Sequence, residues 1–377
     1  MIQNRPFKIL IYTPIMASYG GIERHLCLFA ILCARSGMDV TLLTTSNSLN
    51  EQARQEFRDE GVRFVEMPVE RGHASSFRKL MWLLVTTLRL KATRWDVIYS
   101  NGQSGLSPIV WMARRRGTRV VHHHHTGGDA AEQKIWQRSY KYTLRKAPEL
   151  VGCSLATKRE LEAVLDRHDI RYLTCLTPPL IQADLVKDKV HSPDAILQFG
   201  YFGRLVSTKG IEEICSLSQM PELSGIRWHI YGQGDEYPEE YFKEFPHVTW
   251  HGSYRSTAEY AGILLGLDAA VLFSRHFEGL PVSLMEVMAA GLPWIATDRG
   301  GTRELGVSEL NSVIVPAGAS LQEMKVLTME LADRIRTGKT SRIAQRRVYD
   351  EHFSPEISSR KWLEYLRNAP VSGSIDA

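Results

Sequence analysis

Cysteine is scarce in this chain: five residues in 377, at positions 27, 33, 153, 175 and 215. The number is odd, no C-x-x-C pair occurs, and most of the five sit inside apolar runs. This argues against a disulfide framework and for buried free thiols in a reducing compartment. Long apolar runs are also missing. FKILIYTPIM at 7–16 is too short for a bilayer span, and no small-residue cleavage site of a signal peptide follows it. The expectation is a cytoplasmic protein that is not integral to a membrane. Excess charge of one sign is small: 46 Lys and Arg against 42 Asp and Glu leave +4, and the sequence pI is about 8.7. That is far weaker than the asymmetry of a dedicated nucleic-acid binder, so no nucleic acid is expected. It suits anionic small molecules or an anionic membrane surface. There is no low-complexity segment, no short repeat and no Asp-x-Asp.

What is present is alternation. KILIYT (8–13), DVTLLTT (39–45), GVRFVEM (61–67), DVIYSN (96–101), RVVHH (119–123) and ELVGCS (149–154) are short apolar runs rich in β-branched residues, separated in several places by helical spacing. After the first, Ile22, Leu26, Phe29, Ala30 and Cys33 recur with helical period and Gly37 closes the run as a C-cap. The pattern restarts with ILQFGYF (196–202), RWHIYG (227–232), HVTWHG (247–252), DAAVLF (268–273), LPWIAT (292–297) and NSVIVP (311–316). Such alternation predicts an α/β protein with parallel sheets covered by helices on both faces. Its length allows two cores, so we expect two Rossmann-like domains facing a cleft, over 1–185 and 190–353, joined by the polar stretch ADLVKDKVHSPDA (183–195). Residues 46–75 resist assignment and are expected as a mobile loop. The last helix, SPEISSRKWLEYLRN (354–368), opens with an N-cap serine and a first-turn proline.

In doubly wound sheets ligands bind beyond the C-terminal strand ends, and three loops there carry suitable chemistry. FGRLVSTKG (202–210) places Arg204 and Lys209 in a glycine-bounded loop, which suits a phosphate; the plainer alternative is a solvated basic loop. In FEGLPVSLMEVMAAGLP (277–293), Pro281 fits a first helical turn, and the unpaired amides near 280–283 form an anion site. Glu278 and Glu286 flank that turn and are acceptors for paired hydroxyls; alternatively, Glu278 caps the helix and Glu286 lies on the surface. YGGIERH (19–25) puts Gly20 and Gly21 at a helix start, where backbone approaches a ligand closely or simply turns.

Taken in order, G-R-L-V-S-T-K-G and then E-G-L-P-V-S-L-M-E-V-M-A-A-G-L-P closely resemble the retaining, nucleotide-sugar-dependent glycosyltransferases of GT-B fold, the group 1 or family 4 type. The family mark is two glutamates separated by seven residues, here Glu278 and Glu286. The likeness is strong over about 196–305 and weaker but ordered over 8–35 and 118–165. It implies that Arg204 and Lys209 hold the donor diphosphate. Glu278 and the amides of Gly279, Leu280, Pro281 and Val282, with proline offering no N–H, lie toward the donor sugar and phosphate. Glu286 takes the ribose, and Gly20-Gly21 closes over the diphosphate from the other domain. The final helix, 354–377, crosses back onto the first domain. The donor is then a UDP- or GDP-sugar. With no Asp-x-Asp, the departing nucleoside diphosphate is stabilised by Arg204, Lys209 and the helix amides, so no metal or other cofactor is expected. Retention runs on one face of the sugar, with the leaving phosphate accepting the acceptor's proton.

The run VVHHHHTGG (120–128) remains. Side chains alternate along a strand, so His122 and His124 lie on one face and His123 and His125 on the other; four neighbours cannot converge on one ion. His125 heads the strand-end loop, where the resemblance implies contact with the donor sugar near its reacting carbon; a satisfied structural histidine is the alternative. SSFRKLMWLLVTTLRLKATRW (75–95) is apolar and basic. It reads as a helix buried against the sheet or as one lying on a membrane, in which case the acceptor is a lipid-linked saccharide. The expected activity is a glycosyltransferase of surface polysaccharide or glycolipid synthesis. A sugar-nucleotide epimerase lacks support, and a catalytically inactive nucleotide-sugar-binding subunit is the other reading.

Overall fold

The computed structural model describes residues 5–16, 21–45, 49–68, 75–178 and 180–368. It resolves into two compact units: Met1–Leu176 with Ser358–Ala377, and Thr177–Ile357. The first unit runs β1 (Lys8–Thr13), α1 (Gly21–Arg35), β2 (Asp39–Thr44), α2 (Glu51–Asp59), β3 (Arg63–Glu66), α3 (Ser76–Leu90), β4 (Val97–Asn101), α4 (Ser107–Trp111), β5 (Arg119–His124), α5 (Ala130–Ile135), α6 (Arg138–Lys146), β6 (Glu149–Gly152), α7 (Leu155–Leu165) and β7 (Arg171–Tyr172). The second runs β8 (Leu197–Phe202), α8 (Ile211–Ser218), β9 (Ile226–Tyr231), α9 (Glu239–Phe242), β10 (Val248–Gly252), α10 (Thr257–Gly266), β11 (Ala269–Leu272), α11 (Val282–Ala289), β12 (Trp294–Thr297), β13 (Ser312–Val315), α12 (Leu321–Arg336) and α13 (Arg342–His352). The last helix, α14 (Pro355–Arg367), enters the first unit at Ser358.

Both sheets are parallel and doubly wound. The strand orders are β3-β2-β1-β4-β5-β6-β7 and β10-β9-β8-β11-β12-β13. Every expected strand forms, within two residues of its expected ends; the two-residue β7 has too little pattern to read. Part of 46–75 departs from the expected mobile loop. Residues 51–59 form α2, whose N-cap Asn50 accepts a hydrogen bond from Ala53 N at 2.9 Å, and 63–66 pair as β3. Its helix faces are charged, so an apolar-period search passes over it; Arg54 binds Glu66 and anchors it.

Alternation along the strands sorts the first core into two sides. Ile9 and Ile11 pack with Phe29, Tyr99 and Trp362; Leu10 and Tyr12 pack with Trp95, Trp111 and Tyr140. Trp362 of α14 is fully buried and donates from Nε1 to Thr174 O at 2.9 Å. The stretch 183–195 is fastened to the second unit. Asp188 accepts from the amides of Arg342 (2.6 Å) and Ile343 (3.2 Å), and Lys189 binds Asp268 at 2.9 Å. All five cysteines are free, four of them buried.

Candidate active site

β8 and β11 are neighbours at the point where the second sheet's strand order reverses. The loops leaving them, 203–210 and 273–281, therefore emerge side by side at the crevice where this sheet type binds ligands. Three contacts hold them together. Arg275 N donates to Thr208 O at 2.8 Å, His276 Nδ1 lies 3.2 Å from the same oxygen, and the Arg275 guanidinium binds Glu212 (2.7 Å) and Glu213 (2.5 Å) at the start of α8. Gly210 sits at φ +77°, where a Cβ would lie 2.2 Å from Phe273 O. Only glycine fits so close a crossing.

Lys209 and Glu278 meet across these loops. Lys209 Nζ is 2.6 Å from Glu278 Oε1, and the two side chains are 16% and 10% exposed. Ser274 Oγ donates to the same oxygen, and His276 Nε2 lies 3.7 Å away. Thr297 at the end of β12 holds the Ser274 carbonyl at 2.6 Å. Burial by itself would raise the Glu278 carboxyl; Lys209, His276 and Ser274 outweigh it and hold the group below the usual carboxylate range. Among the described residues no hydrogen bond reaches Glu278 Oε2. One oxygen is thus fixed by the protein, and the other is left to accept from outside.

Behind Glu278 its backbone is clamped as well. Gly301 N donates to Glu278 O at 2.8 Å, and Gly300 at φ +56° passes so near that a Cβ would lie 2.0 Å from that oxygen. Gly279, Leu280 and Pro281 are buried and Val282 is half-buried as α11 begins. Pro281 is the N-cap and offers no capping side chain, so the first amides of α11 keep their hydrogen-bonding capacity for a ligand. Glu278 is not the helix cap. Nor is Glu286 a surface residue: it is 4% exposed in the middle of α11 and accepts from Tyr260 Oη at 3.0 Å. Tyr260 stacks flat on Tyr254 at 4.2 Å and meets Phe202 edge-on. Arg204 is exposed. Its carbonyl accepts from Tyr201 Oη at 2.7 Å, while its guanidinium makes no ion pair among the described residues.

The remaining sequence-derived candidates belong to the first unit. Gly20 lies outside the described residues, and Gly21 is the first residue of α1. The four histidines alternate as expected. His122 faces Ser100 (3.0 Å) and Trp111, and His124 binds Tyr140 Oη (2.5 Å) and Gly127 O (2.7 Å). On the other face, His123 Nδ1 meets Tyr99 Oη at 2.8 Å, and His125 lies 3.9 Å from His123, ring centre to ring centre. His125 is 9% exposed, with Nδ1 3.3 Å from Cys175 Sγ and Nε2 3.4 Å from Asn101 Nδ2. Desolvation holds His25, His122 and His124 near pKa 3, 3 and 4, and His123 and His125 well below 6.5.

His25 of α1 joins His123 and His125, bringing three imidazoles together. Their tautomers argue against an ion there. Leu176 N donates to His25 Nδ1 at 2.9 Å, so His25 Nε2 carries the proton and points toward Tyr99 Oη at 3.3 Å. Neutral His25 therefore has no ring lone pair left for a metal.

Residues 20–175 match the glycosyl transferase 4-like domain, and residues 197–333 match the glycosyl transferases group 1. The chain belongs to the group 1 glycosyltransferases. This glycosyltransferase has the two-domain α/β GT-B fold. It superimposes on sucrose-phosphate synthase from Thermosynechococcus elongatus with a TM-score of 0.74 at 17% identity, covering 96% of this chain and 98% of that one. For HepE of Anabaena, solved with UDP and glucose, the TM-score is 0.69 at 16% identity over 96% and 99% of the two chains. In sequence it is 22% identical over 304 residues to the GtfA subunit of the UDP-N-acetylglucosamine–peptide N-acetylglucosaminyltransferase of Streptococcus gordonii, covering 73% of this glycosyltransferase and 58% of that protein. The chain spans about three fifths of the length of the curated relatives it matches.

Ser274, His276, Thr297, Tyr260 and Gly300-Gly301 escaped the sequence reading. The glycine pair, two residues beyond a predicted strand, is the one local signal in the sequence; the others become visible only once β8, β11 and β12 are adjacent.

Proposed function

We propose that this glycosyltransferase moves a sugar, with retention of configuration and without a metal ion, from a UDP-sugar to a saccharide or lipid-linked saccharide. The observation that carries the reading is the Lys209–Glu278 pair, 2.6 Å apart beside the open start of α11, with one carboxylate oxygen unengaged among the described residues. The uridine base is supported by relatives, one named for UDP-N-acetylglucosamine and one solved with UDP and glucose; a GDP-sugar is the alternative.

In this reading the donor diphosphate lies against the α11 amides, Arg204 and Lys209. They stabilise the charge that grows on it as the bond to the sugar's anomeric carbon breaks. Lys209 then divides its charge between phosphate and Glu278, whose Oε2 accepts hydroxyls of the sugar. Glu286, oriented by Tyr260, accepts the ribose hydroxyls. The acceptor oxygen bonds the anomeric carbon on the face the phosphate leaves, and its proton passes to a phosphate oxygen. His125 stays neutral. With both ring nitrogens engaged, it sets the position of the 125–128 loop. The free thiols support a reducing, cytoplasmic setting, and the outer side of α3 supports contact with the inner face of a membrane.

The test is thermal melting with UDP, GDP or ADP, each in EDTA. A nucleotide at a hundred times its Kd stabilises by about 2.7 kcal/mol. UDP is expected to raise Tm, and Arg204→Ala and Glu286→Gln to shrink the shift. No shift with any nucleotide overturns the donor site. Transfer that EDTA abolishes and a divalent metal restores overturns metal independence, and an inverted anomeric signal in the product's NMR spectrum overturns retention.

A further inference from the structure

α3 buries one side and leaves the other uncovered. Leu83 and Thr87 are fully buried, whereas Phe77 is 69%, Met81 42%, Val85 43% and Leu88 52% exposed. These four, with Leu80, recur at helical spacing and form one apolar stripe about 17 Å long. Scattered exposed apolar residues are ordinary; a continuous stripe marks an interaction surface.

The charge beside the stripe identifies its partner. From residue 71 to 128 the chain carries ten Lys and Arg and a single acid, Asp96. Arg5 occupies that acid at 2.5 Å. Arg89, Lys91, Arg94, Arg114, Arg115 and Arg116 are exposed, and none forms an ion pair among the described residues. Arg115 Nε donates to Lys91 O at 2.9 Å and Thr118 Oγ1 to Trp95 O at 2.8 Å, which fixes the turn after α4 against the end of α3. Arg94, Arg115, Arg116 and Gly117 line one open depression there. Met112, 46% exposed, precedes the three arginines. No helix among the described residues is long and apolar enough to cross a membrane.

The geometry points to an anionic bilayer surface as the partner. The α3 stripe lies in the interface, and the arginine depression takes the phosphate of a lipid headgroup. An apolar stripe flanked by unpaired cations is what such a surface requires of a helix that lies on it. A protein partner would have to match the apolar stripe and the arginines together with one shaped surface, whereas an anionic bilayer presents acyl chains and phosphates to any helix lying on it. The inference rests on the membrane-side reading of α3 and not on the donor site.

The test is sedimentation of the full-length protein with vesicles of phosphatidylcholine alone, or containing about one third phosphatidylglycerol. Binding is expected to the anionic vesicles only, and to fall in high salt. The variant R94Q/R115Q/R116Q is expected to lose on the order of a hundredfold in partitioning, roughly fivefold per cation. F77S/M81S/L88S loses binding while keeping its UDP-dependent melting shift, which shows it folded. The inference is overturned if the protein ignores anionic vesicles at low salt, or if both variants bind like the parent. It is also overturned if the apolar variant dissolves an oligomer that never bound vesicles, because the stripe is then a self-association surface. Vesicle binding without a nucleotide shift fails the donor reading alone; a nucleotide shift without vesicle binding fails this one alone.

Discussion

Lys209→Met removes the cation 2.6 Å from Glu278 and leaves a carboxylate that is 7% exposed without its charge partner. Breaking one side of a buried pair costs about 3–5 kcal/mol; chemical denaturation of the variant should show a loss of that order. Glu278→Gln should be milder in stability, since an amide still accepts from Ser274, yet should abolish measurable sugar transfer. Near-parental transfer in Glu278→Gln would remove this residue from the chemistry. The pair also has a pH signature. Glu278 sits below the usual carboxylate range in the fold. Its contribution is therefore complete above that range and disappears as pH falls through the lowered value. Gly300→Ala tests the backbone clamp. The added Cβ would stand 2.0 Å from Glu278 O at a positive φ, so we expect a loss of about 1–3 kcal/mol together with weakened nucleotide binding. Unchanged binding in a stable Gly300→Ala would show the clamp to be irrelevant.

At the level of the element, β5 carries the clearest pH prediction. Its histidines and His25 are buried and neutral, with pKa values near 3 for His25 and His122 and near 4 for His124, against 6.5 in an open chain. A lowered histidine favours the fold above 6.5. Below that, the unfolded chain binds protons that the folded chain refuses, and the advantage shrinks down to the folded values. Each such group adds a slope of roughly 1.4 kcal/mol per pH unit. Denaturant midpoints for the first unit should therefore fall steeply between about pH 6.5 and 4; a flat profile there would mean that these rings are not buried as neutral groups. The alternation of the four rings was legible because a strand has a fixed two-residue period. The third imidazole was not, because His25 arrives from α1, almost a hundred residues away, and only strand order brings it in. The same limit applies to α3. The sequence marked it as apolar and basic, but which side is covered depends on α4 and the sheet.

Across the whole molecule, each unit closes its own core, and the chain's last described helix belongs to the first. Trp362 is fully buried against Phe29, Tyr99 and His123. Trp362→Ala should cost about 3–5 kcal/mol and lower the melting of the first unit, while UDP should slow hydrogen exchange over 204–210 and 274–288 in the second. Exchange that slows nowhere in those two segments would separate the nucleotide from the proposed site. The sequence by itself determined the alternation of strands and helices, the two parallel sheets, the alternating histidines and the loops carrying Arg204, Lys209, Glu278 and Glu286. Each of those follows from periodicity or from turn chemistry within a few residues. Only the tertiary structure decided that Lys209 is already paired with Glu278, that Ser274, His276 and Gly300 support that pair, that Glu286 is buried, and that α3 leaves an apolar stripe uncovered. Those facts depend on which strands lie side by side, and side-by-side packing is set by the sum of many distant contacts rather than by any local stretch of chain.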